Sequence, residues 1–421
     1  MNFQFIHAAD LHIDSPMRGL DRHADAPVEE IRSATRRAFE NLIDTAVEQG
    51  VDFVLLAGDV FDDDWRDFHT GLFFTEQIAR LKHAGIPVFI IHGNHDSEGG
   101  MTKRLPLPDN AIVFDSRKPE THRLDDIQVA IHGQSFPERH VPEDLASDYP
   151  GPVQGWFNIG MLHTSLDGRE GHADYAPTTA QKLIDKDYDY WALGHVHKRE
   201  IVSETPWISF PGNLQGRRVK ESGSKGFDLV SVSDDGAIQA EHVSADVVRW
   251  HQITLDCSEI ETQAELKRAV TELIPRHIGS DDDRLHAVRV IVEGQSALYV
   301  EEAKSPGLLA ATVRAASYEI DHLDLWIEKV RNALKPTIDR DHEAKREDAI
   351  GELVGLSNVI ASSPENLKEF IEQELQTGLD AMPAELRSLE VLLEGQDYRQ
   401  LLLDAEATIH ATLTSVEEAE K

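Results

Sequence analysis

Apolar residues near the start of the chain fall into short, largely apolar runs, separated by longer stretches in which they recur every three or four positions. Phe3-Gln4-Phe5-Ile6-His7-Ala8, Val51 to Ala57 and Pro87 to Ile91 have the length and composition of buried strands. Between them, 28–49 carries Ile31, Ala34, Ala38, Leu42 and Ala46 at helical spacing, and 68–83 carries Leu72, Phe73, Ile78 and Leu81. This β-α-β-α-β alternation predicts parallel strands joined by helices.

Further along, 128–131, 157–162, 188–193, 207–210 and 227–232 are strand-like with no long helix among them, which predicts a second sheet packed on the first. One domain is expected over 1–245. Residues 250–332 alternate strand (252–256), helix (261–274), strand (286–292), helix (306–317) and strand (323–330). After Lys335-Pro336 the spacing is helical over 343–361, 365–379 and 384–418, with Pro364 and Pro383 at starting positions, giving a tail over 340–421. The expected fold is α/β: a two-sheet β-sandwich flanked by helices, a small α+β capping domain and an acidic C-terminal helical tail.

Composition sets limits on this picture. The single Cys257 excludes an intramolecular disulfide and fits a reducing compartment. No run approaches the ~20 apolar residues of a spanning helix, and Met1 to Ala9 lacks the pattern of a secretory leader. The expectation is a cytoplasmic protein without a membrane partner. A net charge of −35 argues, taken alone, against nucleic acid. Lysine is scarce, 15 against 26 arginines, which suits adaptation to high salt; equal folding and activity in low and molar KCl would reject that reading. Between Gly194 and Gly226 the sign reverses, with Lys198, Arg199, Arg217, Arg218, Lys220 and Lys225 against Glu200, Glu204 and Glu221. The polar, glycine-rich stretch 215–226 is either a solvated loop or a place where Arg217, Arg218 and Lys220 hold a DNA backbone without reading bases.

Five polar clusters each follow a strand-like run: Asp10-Leu11-His12, Gly58-Asp59, Gly93-Asn94-His95-Asp96, His163, and Gly194-His195-Val196-His197. Their donors are carboxylates, an amide oxygen and imidazoles, the set that holds two divalent cations side by side. Asp10 and His12, like His195 and His197, are two apart, so on an extended segment each pair shares a side. Gly58 allows a tight turn that brings the Asp59 carboxylate to a central point, where its two oxygens can bridge two ions. Ligands of open α/β sheets collect beyond the carboxyl ends of strands, where all five clusters fall. Two cations ~3.5–4 Å apart generate a bridging hydroxide nucleophile and clamp a phosphate for in-line attack. The departing oxygen still needs a proton. His95 is the candidate acid, with Asp96 beside it to orient the imidazole. Any one of these histidines alone is more often structural; five clusters in this order point to a dinuclear site.

On these residues the chain resembles the calcineurin-like metallophosphoesterase superfamily, whose pattern runs D-x-H, G-D, G-N-H-D/E, H and G-H-x-H. The resemblance implies Asp10, His12, Asp59 and His197 on one ion, Asp59, Asn94, His163 and His195 on the other, His95 as acid, and manganese as the usual metal. Gly58-Asp59-Val60-Phe61-Asp62, Leu193-Gly194-His195-Val196-His197-Lys198 and Phe210-Pro211-Gly212-Asn213-Leu214-Gln215-Gly216-Arg217 look like its DNA-repair exonuclease branch, SbcD-like and most similar to the YhaO-like group. That branch implies a DNA nuclease, a homodimer formed through helices near 68–83, and C-terminal helices that bind an SMC-like ATPase. For the tail, a hairpin packed on its own domain stands as the alternative. At Asp62 archaeal and eukaryotic members carry histidine, which leaves the polarity of digestion open. A phosphodiesterase or phosphatase acting on nucleotides or other phosphoesters, and an interaction subunit for the ATPase, are the rival functions.

Overall fold

The computed structural model describes residues 2–15, 26–62, 68–96, 106–168, 175–279, 283–337, 340–380 and 397–419. The chain forms two compact units: Met1–His251 with Asp282–Val288 and Leu323–Glu328, and Gln252–Asp281 with Arg289–His322 and Lys329–Lys421. Two segments that the sequence pattern assigns to the small α+β domain thus fall in the first unit. The reason is packing: Leu285, Ala287 and Trp326 bury against Ile31, Ala34, Val248 and Trp250.

In the first unit, β1 (Phe3–Ala8), α1 (Val28–Gln49), β2 (Phe53–Ala57), α2 (His69–His83) and β3 (Val88–Ile91) realise the predicted alternation. They are followed by β4 (Ala111–Val113), β5 (Glu120–Leu124), β6 (Val129–Gly133), β7 (Phe157–His163), α3 (Ala180–Ile184), β8 (Tyr190–Gly194), β9 (Glu200–Glu204), β10 (Trp207–Phe210), β11 (Gly226–Val232) and β12 (Ile238–Ser244). The strands make two mixed six-stranded sheets, ordered β12-β11-β1-β2-β3-β4 and β5-β6-β7-β8-β10-β9. In the first, β1 to β4 are parallel and β11 runs antiparallel to β1. In the second, β6, β7, β8 and β10 are parallel, with β5 and β9 antiparallel at the edges.

The period of two along each strand divides the core. Phe3, Phe5, Phe53, Leu55 and Phe89 turn into the space between the sheets, against Val129, Ile131, Ile159, Met161 and Tyr190. Phe5 stacks on Phe53 with centroids 4.9 Å apart. Ile6, Ala8, Val54 and Leu56 face the other way, onto Ala38, Phe39 and Leu42 of α1 and Phe74, Ile78 and Leu81 of α2. Burial on both faces is why these strands read as continuous apolar runs. Parallel order also sends the loops after β1, β2 and β3 out at one edge of the first sheet, and those after β7 and β8 at one edge of the second.

The remaining elements are β13 (Val248–Asp256), α4 (Gln263–Ile278), β14 (Leu285–Gln295), α5 (Leu298–Lys304), α6 (Leu308–Ser317) and β15 (Asp324–Lys335), then α7 (Arg340–Glu343), α8 (Ala349–Ile360), α9 (Pro364–Asp380) and α10 (Tyr398–Ala419). The three strands form one sheet in chain order. A capping box of Thr262 and Glu265 starts α4. The helix expected over 343–361 is interrupted because Asp348 caps α8, accepting from Ile350 N and Gly351 N. In the second unit, Leu367 and Ile371 of α9 bury with Leu402 of α10. Pro383 and the start of the helix expected from 384 lie outside the described residues. No described helix is long and apolar enough to cross a membrane.

Candidate metal centre

The loops after β1 and β2 continue side by side beyond the sheet: Asp10 N donates to Gly58 O, His12 N to Asp59 O and Ile13 N to Val60 O, each at 3.0 Å. They are not extended there. Asp10, His12, Asp59 and His195 have φ of 52, 45, 51 and 102°, left-handed values that cost a non-glycine residue ~1–3 kcal/mol each. The Asp10/His12 pair therefore converges through two left-handed residues, not through the side-sharing of an extended segment. The walls are close enough to require glycine: a Cβ at Gly58 (φ 94°) would lie 2.4 Å from His163 Nδ1, and one at Gly93 would lie 2.3 Å from Asp59 Oδ1.

Two donor groups result, Asp10 with His12 and His197, and Asp59 with His163 and His195; within each, one donor atom per residue lies within 4.8 Å of the others. Asp59 stands between them, its Oδ2 3.9 Å from His12 Nε2 and 3.5 Å from His163 Nε2. Asn94 Oδ1 lies 3.1 Å from His163 Nε2. All seven residues expected as ligands are thus brought together, and all but the half-buried His197 are buried.

The donor set fits divalent cations. His12 Nε2 and His197 Nε2 face each other at 3.2 Å, where lone pairs on both nitrogens would serve one ion. Ala57 O beside His163 Nδ1 (2.9 Å) and Glu221 Oε1 beside His197 Nδ1 (3.1 Å) favour the N–H on Nδ1 and turn Nε2 inward. Burial pushes the Asp10 carboxyl up and the His12 imidazole down to about 4. A cation between them favours the carboxylate and the neutral ring alike. Against the cost of burial, His163 holds Asp59 well below the usual carboxylate range, and Asp59 in turn raises His163 to about 9.

Asp96 does not take the role expected of it. Its carboxylate is buried and accepts from Val60 N (3.1 Å), Phe61 N (2.8 Å) and Gly93 N (3.1 Å), pinning the loops after β2 and β3 together. The carboxylate beside His95 belongs instead to Asp62, whose Oδ1 is 2.8 Å from His95 Nδ1 and 3.5 Å from His12 Nδ1. Despite partial burial, the imidazoles of His12 and His95 beside it and a hydrogen bond from Ser15 hold Asp62 well below the ordinary range. His12, Asp62 and His95 also form a compact donor group. The Arg217 guanidinium 3.2 Å from Asp62 Oδ2 already balances that carboxylate, so the group reads as support for the site.

Arg217, expected on a DNA-facing loop, is mostly buried. Its Nη1 meets Asp62 Oδ2 and Ser15 Oγ (3.1 Å), and its Nη2 lies 3.5 Å from Glu221 Oε1. Asn213, Leu214 and Gln215 are buried outright, with Gln215 Nε2 donating to Val248 O and Gln215 Oε1 accepting from Val247 N. Arg218, 68% exposed, and Lys220 turn to solvent. Two supporting residues carry no motif: buried Glu221 on His197, and Lys225, whose Nζ donates to His197 O at 2.8 Å.

Comparison with known proteins agrees with this geometry. The family described as "Calcineurin-like phosphoesterase" matches residues 3–199, and "Metallophosphoesterase YhaO, middle domain" matches 250–335. "Uncharacterized metallophosphoesterase YhaO" of Bacillus subtilis (strain 168) is 38% identical over 305 residues, covering 71% of this chain and 74% of that protein. "DNA double-strand break repair protein Mre11" of Methanopyrus kandleri is 24% identical over 315 residues (68% of this chain, 67% of that one), and the protein of the same name from Sulfurisphaera tokodaii is 24% identical over 312 residues (70% and 74%). The chain belongs to the calcineurin-like metallophosphoesterases, in the YhaO-like family.

Proposed function

We propose that this metallophosphoesterase is a DNA nuclease, an exonuclease of repair, that works with two Mn²⁺ ions. Asp10, His12, Asp59 and His197 would hold one ion, and Asp59, Asn94, His163 and His195 the other. Bound there, the pair supplies a nucleophile at neutral pH and a charge clamp for the phosphate. The protein's own part is to orient and to move a proton. Asp62 on Nδ1 aims the His95 ring, 26% exposed, so that Nε2 can protonate the departing oxygen. The carrying observation is the two donor groups with the Asp59 carboxylate standing between them, and His95 and its carboxylate at their edge. The similarity to Mre11 over two thirds of the chain, together with the solvent-facing Arg218 and Lys220, supports DNA as the substrate.

Purified protein with Mn²⁺ should degrade linear duplex or single-stranded DNA and hydrolyse bis-p-nitrophenyl phosphate. His95→Ala should lower DNA cleavage roughly 10²–10⁴-fold, as for loss of a general acid. Hydrolysis of the small ester with intact DNA would reassign the enzyme to another phosphoester substrate.

A further inference from the structure

Arg217 and Glu221 sit where two halves of the site meet, and neither is placed to ligate an ion. Glu221 Oε1 is 3.1 Å from His197 Nδ1, and its Oε2 accepts from Asn213 Nδ2 (3.1 Å) and Arg217 N (2.8 Å). From the same short turn, the Arg217 guanidinium reaches Asp62 Oδ2 with Nη1 and Glu221 Oε1 with Nη2. Asp62 is the carboxylate on His95, and Glu221 is the carboxylate on His197. We propose that Arg217 and Glu221 form a positioning pair that locks the proton-donor side of the site, Asp62 and His95, to the ligand side at His197.

A planar guanidinium suits this role because one fork spans two carboxylates at fixed separation, which an ammonium on a flexible stem cannot do. Outer partners of ligating histidines fix the tautomer and ring direction, and their loss typically lowers metal affinity 10–100-fold. The inference rests on the two-ion reading above, and the test separates the two.

The full chain is titrated with Mn²⁺ by calorimetry, and its kcat and KM are measured on p-nitrophenyl and phenyl phosphodiesters, whose leaving groups differ in their need for a proton. Glu221→Gln should weaken one Mn²⁺ step about 10–100-fold and spare the other. Arg217→Gln should weaken the same step and lose more kcat on the phenyl than on the nitrophenyl ester, with KM little changed. Arg217→Lys should not restore either property. Circular dichroism checks folding of each variant, with Glu221→Asp replacing the amide if that one unfolds. Folded Glu221→Gln with wild-type Mn²⁺ affinity, equal kcat loss of Arg217→Gln on both esters, or full activity in Arg217→Lys would each overturn the pairing. A wild-type chain that binds no two Mn²⁺ would instead overturn the two-ion reading.

Discussion

The first unit buries two clusters of ionisable side chains, and they reach electrical balance differently. Between the sheets, His7 Nδ1 lies 3.0 Å from the Tyr190 hydroxyl and Nε2 3.1 Å from Leu193 O. Beside it, fully buried Asp228 is paired with Arg199 at 2.7 Å. Burial pushes His7 down to about 4, so it stays neutral. At the candidate metal centre, His12 meets His197 nitrogen to nitrogen, with buried Asp10 Oδ1 3.7 Å from His197 Nε2 and buried Asp59 Oδ2 3.9 Å from His12 Nε2. Charge that a fold balances with its own side chains is architecture. Donors that converge on one another mark a place for a cation.

Substitutions should therefore separate activity from stability in opposite ways. Asp10→Asn keeps an oxygen to accept from His195 N and removes one charge from the donor set proposed to hold the ions. Phosphodiester hydrolysis should fall about 10³-fold or more, the several kcal/mol expected of a lost metal interaction. Metal content should drop with it, while unfolding in EDTA shifts by less than about 1 kcal/mol. Asp228→Asn should do the reverse. Breaking a buried pair costs roughly 3–5 kcal/mol, and the partial exposure of Arg199 brings the expectation to roughly 3, with kcat per folded molecule unchanged. If both variants lose activity and stability together, the distinction between the clusters fails.

A smaller effect should appear with pH. His7 titrates at about 4 in the fold, against an ordinary imidazole value of 6.5 in the unfolded chain. Between those values the unfolded chain binds more protons, so this contribution is complete above 6.5 and is lost as pH falls toward 4. At pH 5 the loss amounts to roughly 2 kcal/mol. Urea unfolding of wild type and His7→Gln at pH 5 and 7 measures it: the variant should show a flatter dependence, and parallel curves would remove His7 from the account.

Much of the first unit could be read from the chain because its parallel strands are buried on both faces. Their runs are largely apolar, and those of β1, β2, β3, β7 and β8 each end at a donor cluster. The strands without such a signal, β4, β5, β9 and β12, are the edge strands of the two sheets and are partly exposed. At the site, the converging donors were legible because their types recur in order. Their supports were not, since neighbours in sequence are not neighbours in space. Asp96 follows His95 directly, yet the turn at 94–96 folds its carboxylate back onto backbone N–H groups. Asp62 lies three residues beyond Asp59, and Glu221 four beyond Arg217. Both sit beside residues that carry a motif, but only the meeting of loops from β1, β2, β3, β8 and β10 gives them partners.

The smallest expected effect divides the 213–221 stretch itself. Arg217 is held by two carboxylates and Ser15, so its charge is spent inside the wall of the site. On the same turn Arg218 and Lys220 face solvent, with Arg218 Nε 3.6 Å from Glu221 Oε1. At that distance, with its own side chain largely in solvent, the Arg218 guanidinium is left available to a phosphate. Each of Arg218→Ala and Lys220→Ala should weaken DNA binding a few-fold, alike for all sequences, and lower the slope of log affinity against log salt by about 1. Hydrolysis of bis-p-nitrophenyl phosphate, too small to reach the turn, should not change. An unaltered salt slope in the double variant would leave the acidic surface without a DNA-facing patch here. The case for DNA would then depend on the similarity to Mre11 alone.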